Sequence, residues 1–105
     1  QREPQSRTYS LGTLFVDPAR HIVRDGEREV TLTLKEFQVL CLLMERAGTV
    51  FTRDQLLNTI WGYEFDGASR TVDVHIRRLR EKLEENPAAP QHILTKWGVG
   101  DYLKD

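Results

Sequence analysis

Hydrophobic residues recur every three or four positions through the middle of the chain, the spacing of helices with one buried face. The first such segment starts with Thr33 and Glu36, which fit a capping box, and is expected to end near Ala47, before Gly48. So much of its circumference is hydrophobic that we place this helix between the N-terminal strands and the later helices. Its hydrophobic residues are Phe37, Val39, Leu40, Cys41, Leu42, Leu43 and Met44.

The same spacing predicts two further helices. Thr52 and Gln55 fit a second capping box, and the helix that follows is expected to end near Trp61. Ser69 fits the N-cap of a third helix, which runs to about Glu85 and is closed by the Asn-Pro pair that follows.

Strands are predicted on both sides of these helices. Residues 8–33 are rich in β-branched and aromatic side chains, and Asp25–Gly26 is a strong hairpin signal, so we expect three or four short antiparallel strands. Residues 92–104 form two alternating runs around Gly98–Gly100, which predicts a C-terminal hairpin. The order of strands, three helices and a hairpin is the outline of an α+β winged helix-turn-helix domain.

The third predicted helix has a narrow hydrophobic edge and a basic outer face. At about 100° per residue, Val72, Ile76, Leu79 and Leu83 fall within about 60° of arc and must face the core. The opposite side carries Arg70, Val74, Arg77, Arg78 and Glu81, with Thr71 and His75 beside them. Asp73 and Arg80 fall together on one flank.

Positive charge is concentrated on this helix although the whole chain is nearly neutral. The formal net charge is −1, whereas residues 70–83 carry five Lys or Arg against two Asp or Glu, a net charge of +3. A rigid basic helix fits the major groove of DNA, where arginine donors match guanine and phosphate oxygens and Val74 meets a thymine methyl group. The alternative is a solvated face with ion pairs one turn apart. Candidate pairs are Asp73–Arg77, Arg77–Glu81 and Arg80–Glu84.

The remaining residues argue against other classes of function. The single Cys41 lies in the most hydrophobic helix, so it predicts a core side chain, allows no internal disulfide and favours a reducing compartment. Scattered histidines and the absence of a nucleophile constellation predict no metal, no cofactor and no enzyme activity. No segment is long and hydrophobic enough to cross a membrane, and we expect a cytoplasmic domain. The acidic residues Glu81, Glu84 and Glu85 are expected to form a solvated helix end.

Five motifs resemble the DNA-binding effector domain of OmpR/PhoB-type response regulators: LTLKEF, TRDQLL, WG, RTVDVHIRRLR and GVG. The resemblance covers residues 8–104 and implies a four-stranded antiparallel sheet, three helices and a C-terminal hairpin wing. It implies a bacterial two-component transcription regulator, in which a sensor kinase phosphorylates a receiver domain that this chain lacks. The chain has no initial methionine, and we interpret residues 1–7 as a linker remnant and residues 8–105 as the winged-helix DNA-binding domain.

The resemblance also implies contacts at individual positions. Residues 70–85 form a recognition helix in the major groove, the wing (residues 92–104) lies near the minor groove, and loop 62–68 contacts RNA polymerase. The candidate DNA-binding residues are Arg53, Trp61, Arg70, Thr71, Asp73, Val74, His75, Arg77, Arg78, Arg80, Thr95, Lys96 and Trp97. The candidate polymerase contacts are Tyr63, Glu64, Phe65 and Asp66. Asp73 and Arg78 are expected to contact bases, and Arg70, His75, Arg77 and Arg80 mainly phosphates. Trp61 equally fits core packing.

The expected partner is double-stranded DNA with direct-repeat half-sites about one helical turn apart, bound by two copies of the domain. Two wing positions depart from the family pattern: Trp97 replaces a common arginine, and Asp101 replaces a usual tyrosine. Because DNA repels a carboxylate near its backbone, we expect a weakened wing contact. The alternative function is a winged-helix protein-interaction module with little DNA affinity, whose contact surface would be loop 62–68.

Overall fold

The computed structural model describes residues 8–62 and 69–104, with only the backbone of Ser69. The predicted linker remnant, residues 1–7, lies outside the described residues, as do residues 63–68 of the predicted polymerase-contact loop. The described part of the chain confirms the predicted α+β order, with a four-stranded antiparallel sheet followed by three helices and a C-terminal hairpin.

The N-terminal sheet has four strands in sequential order. They are β1 (Tyr9–Leu11), β2 (Leu14–Asp17), β3 (Ile22–Asp25) and β4 (Arg28–Glu29). The hairpin predicted at Asp25–Gly26 joins β3 to β4. Leu14, Val16 and Val23 are buried on one face of β2 and β3, which therefore covers the core.

Helix α1 (Leu34–Glu45) ends two residues before the predicted Ala47. Its capping box is present, because the Glu36 N–H donates to Thr33 Oγ1 at 3.3 Å and the Thr33 N–H donates to Glu36 Oε1 at 3.0 Å. The helix contacts β1 on one side and the third helix and C-terminal hairpin on others, which confirms that it is buried on more than one side.

Helix α2 starts with the predicted Thr52–Gln55 capping box, but only Arg53–Leu56 is α-helical. Leu57–Trp61 continue as a π-helical turn, in which the Gly62 N–H donates to the Leu57 carbonyl. The sequence predicts one continuous helix here, because hydrophobic spacing does not distinguish an i→i+4 from an i→i+5 hydrogen-bond pattern over a single turn. Leu57 and Trp61 are both buried at this turn.

Helix α3 spans Ser69–Leu83. Ser69 is its first helical residue and not the N-cap that the sequence predicts, and the helix ends two residues before Glu85. Shifts of one or two residues at helix ends leave the assignment of faces unchanged.

The C-terminal hairpin is present as predicted, with strands β5 (Ile93–Lys96) and β6 (Gly100–Leu103). An isolated bridge between Phe51 and Asp101 joins it to the segment before α2, with N–H to carbonyl distances of 2.8 and 2.9 Å. Only glycine fits at position 100, because a Cβ atom there would collide with the Phe51 carbonyl oxygen. The wing is therefore attached through its backbone to the start of α2.

Candidate nucleic-acid interface

The hydrophobic edge of α3 packs into the core as the periodicity predicts. Val72, Leu79 and Leu83 have no exposed surface, and Ile76 is 3% exposed. They join one continuous core with residues of α1, α2 and the wing. Because four side chains along its length are buried, α3 is held to the body of the domain as a rigid rod.

The outer face of α3 is exposed and mainly basic. Arg70, Arg77 and Arg78 all lie in solvent, and Val74 is 40% exposed between them. Arg77 makes the predicted pair with Glu81, but the distance is 3.8 Å and the Arg77 side chain is 81% exposed. Exposed pairs of this kind contribute little to stability, so the arginine remains available to a ligand. The side chains of Arg70 and Arg78 make no hydrogen bond or ion pair with other described residues.

Asp73 pairs with Arg53 of α2 and not with Arg77, so the predicted Asp73–Arg77 pair is wrong. The Arg53 Nε donates to Asp73 Oδ1 at 2.9 Å, and both side chains are about half exposed. Periodicity within α3 does not reveal this partner, because it comes from the first turn of another helix. Two candidate DNA-binding residues from the two helices of the motif thus lie side by side.

Arg80 is turned toward the wing and not toward solvent. Its Nε donates to the Ile93 carbonyl at 3.0 Å, and its Nη2 donates to Thr95 Oγ1 at 2.7 Å. Nη2 also lies 3.8 Å from Asp101 Oδ1, and the Arg80 side chain is only 21% exposed. The predicted Arg80–Glu84 pair is therefore wrong, since the guanidinium group finds its partners on β5 and β6.

Asp101 is buried on β6, which corrects the expectation that its carboxylate faces the DNA backbone. The residue is 7% exposed, and its Oδ1 accepts from the Thr95 hydroxyl at 2.7 Å. Its charge is directed at Arg80 and Thr95, so repulsion of phosphates by an exposed carboxylate does not apply.

Glu84 is a structural residue that the sequence does not reveal. The sequence places it in a solvated helix end, yet it is 6% exposed. Its two carboxylate oxygens accept from the backbone N–H groups of Gln91, His92 and Ile93, at 2.8 to 2.9 Å. These donors are backbone groups seven to nine residues away, so no side-chain pattern indicates them. Glu84 fixes the entry of the wing to the end of α3.

A second buried acid, Glu36, joins α1 to α3. Lys82 Nζ donates to Glu36 Oε1 at 2.6 Å, and Glu36 is fully buried. Burial alone would raise the pKa of Glu36, but the hydrogen bonds from Lys82 and Thr33 and the Lys82 charge outweigh it and hold the pKa below its usual value of 4.5. This ion pair keeps the C-terminal half of α3 against α1.

The tip of the wing projects into solvent beside α2 and α3. Trp97 is 90% exposed and Val99 is 49% exposed, and Lys96 is exposed next to them. A groove of about 410 Å³ separates this tip from the start of α2, with Arg53 and Asp54 on its far wall. An exposed indole beside lysine offers a flat apolar surface and a positive charge to a ligand in this groove.

Trp61 packs in the core, as one of its two predicted roles requires. It is 7% exposed, and its ring lies 4.9 Å from the His75 ring at an interplanar angle of 72°. The His75 Nδ1 lies 2.8 Å from the Thr71 carbonyl, so it carries the proton and donates. Lys35 places its ammonium 5.6 Å from the Trp61 ring and donates to the Ile60 carbonyl at 3.0 Å, which caps the π-helical turn.

Cys41, the single cysteine of the chain, is partly buried in α1. Burial, assisted by the charge of Glu45, raises the pKa of the Cys41 thiol to about 11, so this cysteine is not an activated nucleophile. Within residues 8–62 and 69–104, no group of three His, Cys, Asp or Glu side chains is placed to hold a metal ion. No helix in that part of the chain has the length and hydropathy needed to cross a membrane.

The fold described above agrees with comparisons to known proteins. Residues 27–103 match the family described as "Transcriptional regulatory protein, C terminal". The chain is 45% identical over 93 residues to the sensory transduction protein RegX3 of Mycolicibacterium smegmatis, which covers 89% of this chain and 41% of RegX3.

Two solved structures share this fold closely. The response regulator DrrB of Thermotoga maritima, described as an OmpR/PhoB homolog, superposes with a TM-score of 0.86 at 38% identity, over 93% of this chain and 44% of DrrB. The DNA-binding domain of RstA from Klebsiella pneumoniae, solved in complex with the RstA box, superposes with a TM-score of 0.85 at 38% identity, over 93% of this chain and 97% of that domain. The chain thus spans less than half the length of RegX3 and of DrrB. It belongs to the family of C-terminal domains of transcriptional regulatory proteins and is an effector domain of the OmpR/PhoB type.

Proposed function

We propose that this domain binds double-stranded DNA in a sequence-specific manner, with α3 in the major groove. The observation that carries the proposal is the division of α3 into two faces. Val72, Ile76 and Leu79 fix the helix from behind, while Arg77 and Arg78 lie exposed on the other side. A helix held in this way presents its side chains to a groove at little entropic cost. The RstA DNA-binding domain, which was solved in complex with the RstA box, supports DNA binding by this fold.

The exposed side chains divide into base and phosphate contacts. We assign base contacts to Arg78 and Asp73 and a thymine methyl contact to Val74, because they occupy the outer face of α3. We assign phosphate contacts to other polar candidates around them; these are Arg53, Trp61, Arg70, Thr71, His75 and Arg77. Thr95 is not among them, because its hydroxyl proton is donated to Asp101. Lys96 and Trp97 approach the minor groove from the exposed tip of the wing.

The Arg53–Asp73 pair adds a constraint to these roles. A carboxylate that already accepts from Arg53 at 2.9 Å has its remaining lone pairs available to a cytosine amino group. Arg53, in turn, is held at the start of α2 with its other N–H groups available to a phosphate. We infer that the pair orients both side chains before DNA binds.

The whole protein is proposed to be a two-component response regulator. In this proposal the domain follows a receiver domain controlled by a sensor kinase, and two copies bind direct-repeat half-sites on DNA. Loop 62–68 contacts RNA polymerase. The likeness to RegX3, of which this chain covers 41%, supports the first of these statements.

The test is selection of bound duplexes from a random DNA pool, followed by fluorescence anisotropy with the selected site. We expect one enriched motif, and binding that weakens as salt rises because phosphate contacts release counterions. The Arg77→Ala/Arg78→Ala variant should lose this binding. Arg20→Ala/Arg24→Ala removes two exposed arginines from the N-terminal sheet and should retain it. A pool without enrichment, together with no retention on heparin, would favour the protein-interaction module.

A further inference from the structure

We propose that Asp101 is a positioning residue that holds Arg80 against the wing, so that Arg80 joins the wing to α3 and does not contact a phosphate. This inference rests on the proposed DNA binding. It states which residues of the same site set the position and the charge of Arg80. It also divides the arginines of α3 into two classes. Arg77 and Arg78 contact DNA, while Arg80 stabilises the packing of the wing on α3.

The hydrogen bonds of Arg80 hold its guanidinium group against β5. A guanidinium group has five N–H donors in a planar fork. Nε donates to the Ile93 carbonyl at 3.0 Å, and Nη2 donates to Thr95 Oγ1 at 2.7 Å, so one edge of the fork is occupied by β5. With 21% of its side chain exposed, Arg80 differs from Arg77, which is 81% exposed three residues earlier.

The Thr95 hydroxyl fixes the direction of the hydrogen bonds that join Arg80, Thr95 and Asp101. A hydroxyl has one proton, and the Thr95 hydroxyl donates it to Asp101 Oδ1 at 2.7 Å. Thr95 must therefore accept from Arg80, and the bonds run from Arg80 through Thr95 to Asp101. A negative charge at the end of this series favours that direction, and Asp101 Oδ1 also lies 3.8 Å from Arg80 Nη2.

The backbone of β6 fixes Asp101 in a buried position. Its N–H and carbonyl are both bonded to Phe51, and Gly100 before it has no space for a side chain. The backbone therefore fixes the carboxylate in a buried place, where a charge needs a partner. Arg80 is the cation that the described structure gives it. The pair thus holds the wing at one angle to α3, and Asp101 largely neutralises the charge that Arg80 would bring to DNA.

The salt dependence of DNA binding tests this assignment. Each phosphate contact adds roughly 0.9 to the slope of log Kobs against log salt. In the wild-type background, Arg80→Ala should leave the slope unchanged. Asp101→Asn keeps an acceptor for Thr95 and removes the charge, so it should release Arg80 and steepen the slope by about 0.9. Arg80→Ala in the Asp101→Asn background should return the slope to the wild-type value.

Asp54→Asn is the matched control, because it removes the same charge from an exposed residue on the wall of the same groove. Asp54→Asn should leave the wild-type slope unchanged. Arg80→Ala in the Asp54→Asn background should also leave the slope unchanged. If Arg80→Ala alone flattens the wild-type slope by about 0.9, Arg80 contacts a phosphate and the assignment is wrong. An unchanged slope in folded Asp101→Asn, verified by circular dichroism, would also overturn it.

A measurement without DNA separates this inference from the proposed function. Hydrogen exchange of the arginine Nε–H groups, followed by NMR, should be slow for Arg80 and fast for Arg77. Asp101→Asn should accelerate exchange at Arg80 alone, and so should Thr95→Val, which removes the hydroxyl and leaves every charge in place. Equal exchange at Arg80 and Arg77 in the wild type refutes the inference even if DNA binding is intact. Slow exchange at Arg80 in a protein that binds no DNA would instead refute only the proposed function.

Discussion

Arg78 is the side chain to which we assign the largest part in base recognition. It is exposed on the outer face of α3, opposite the buried edge. Replacing it with alanine should cost about 1–3 kcal/mol of binding free energy on the selected duplex and relax the preference at one base pair. Fluorescence anisotropy against the selected site and its single-base variants measures both effects.

Arg20→Ala is the control, because Arg20 is exposed on the turn between β2 and β3. It should leave affinity and base preference near the wild-type values. A uniform loss across all sequences in Arg78→Ala, with no change in base preference, would show that Arg78 contacts phosphate only.

Cys41 is predicted to be unreactive in the folded domain. Because burial raises the pKa of its thiol to about 11, almost none of it is thiolate near neutral pH. Alkylation by iodoacetamide should therefore be much slower in the native domain than in the same protein unfolded by denaturant. Mass spectrometry of quenched samples measures the two rates, and equal rates would contradict the protection of the partly buried thiol.

Side chains that act within their own segment could be predicted, and those that act across segments could not. The inward edge of α3 follows from periodicity, and so does the contact of the partly buried Cys41 with the core. Arg53 and Asp73 are 20 residues apart, and Arg80 and Thr95 are 15 apart, on different elements. Sequence spacing does not determine such partners, because the packing of the elements brings them together.

The junction between α1 and α3 should give stability a specific dependence on pH. The pKa of Glu36 is lowered in the folded state, so its contribution is present above the usual value of 4.5 and is lost as the pH falls below it. Glu36→Gln should lower the free energy of unfolding by about 1–3 kcal/mol at neutral pH, since it keeps an acceptor but removes the negative charge from the buried hydrogen bond with Lys82. The difference from wild type should shrink as the pH falls below 4.5.

Urea unfolding at several pH values measures this difference. Glu45→Gln removes the same charge from an exposed site on the same helix, and at neutral pH it should change the free energy of unfolding much less than Glu36→Gln does. A difference between Glu36→Gln and wild type that stays constant over the whole pH range would mean that the Lys82–Glu36 pair does not stabilise the junction.

Elements themselves were predictable to within a few residues, because their signals are local. Both capping boxes, the Asp25–Gly26 hairpin and the C-terminal hairpin occur where the sequence places them. The π-helical turn of Leu57–Trp61 was not predictable, since it depends on how the end of α2 packs against the core. The attachment of the wing was also not predictable from the sequence, because it depends on backbone groups of Phe51 and on the Glu84 carboxylate.

Two copies of the domain should bind one DNA molecule with a fixed geometry. If copies bind direct-repeat half-sites, their centres should lie about 10–10.5 base pairs apart, one helical turn. On a duplex with two such half-sites the second copy should bind roughly 10-fold more tightly than to a single half-site, because neighbouring copies on one face of the DNA contact each other and their binding is coupled. Inserting about 5 base pairs should remove this gain by placing the second site on the opposite face. Equal affinity for both spacings would contradict tandem binding.

The central claim is that the basic face of α3, with the tip of the wing, forms the surface that meets DNA. The most direct measurement is an NMR titration of the labelled domain with its selected duplex, following backbone amides and arginine side chains. The account predicts large shifts for Arg70, Arg77 and Arg78 and for Lys96 to Val99, with the N-terminal sheet unchanged. Shifts confined to the sheet, or no shifts at all on α3, would contradict it.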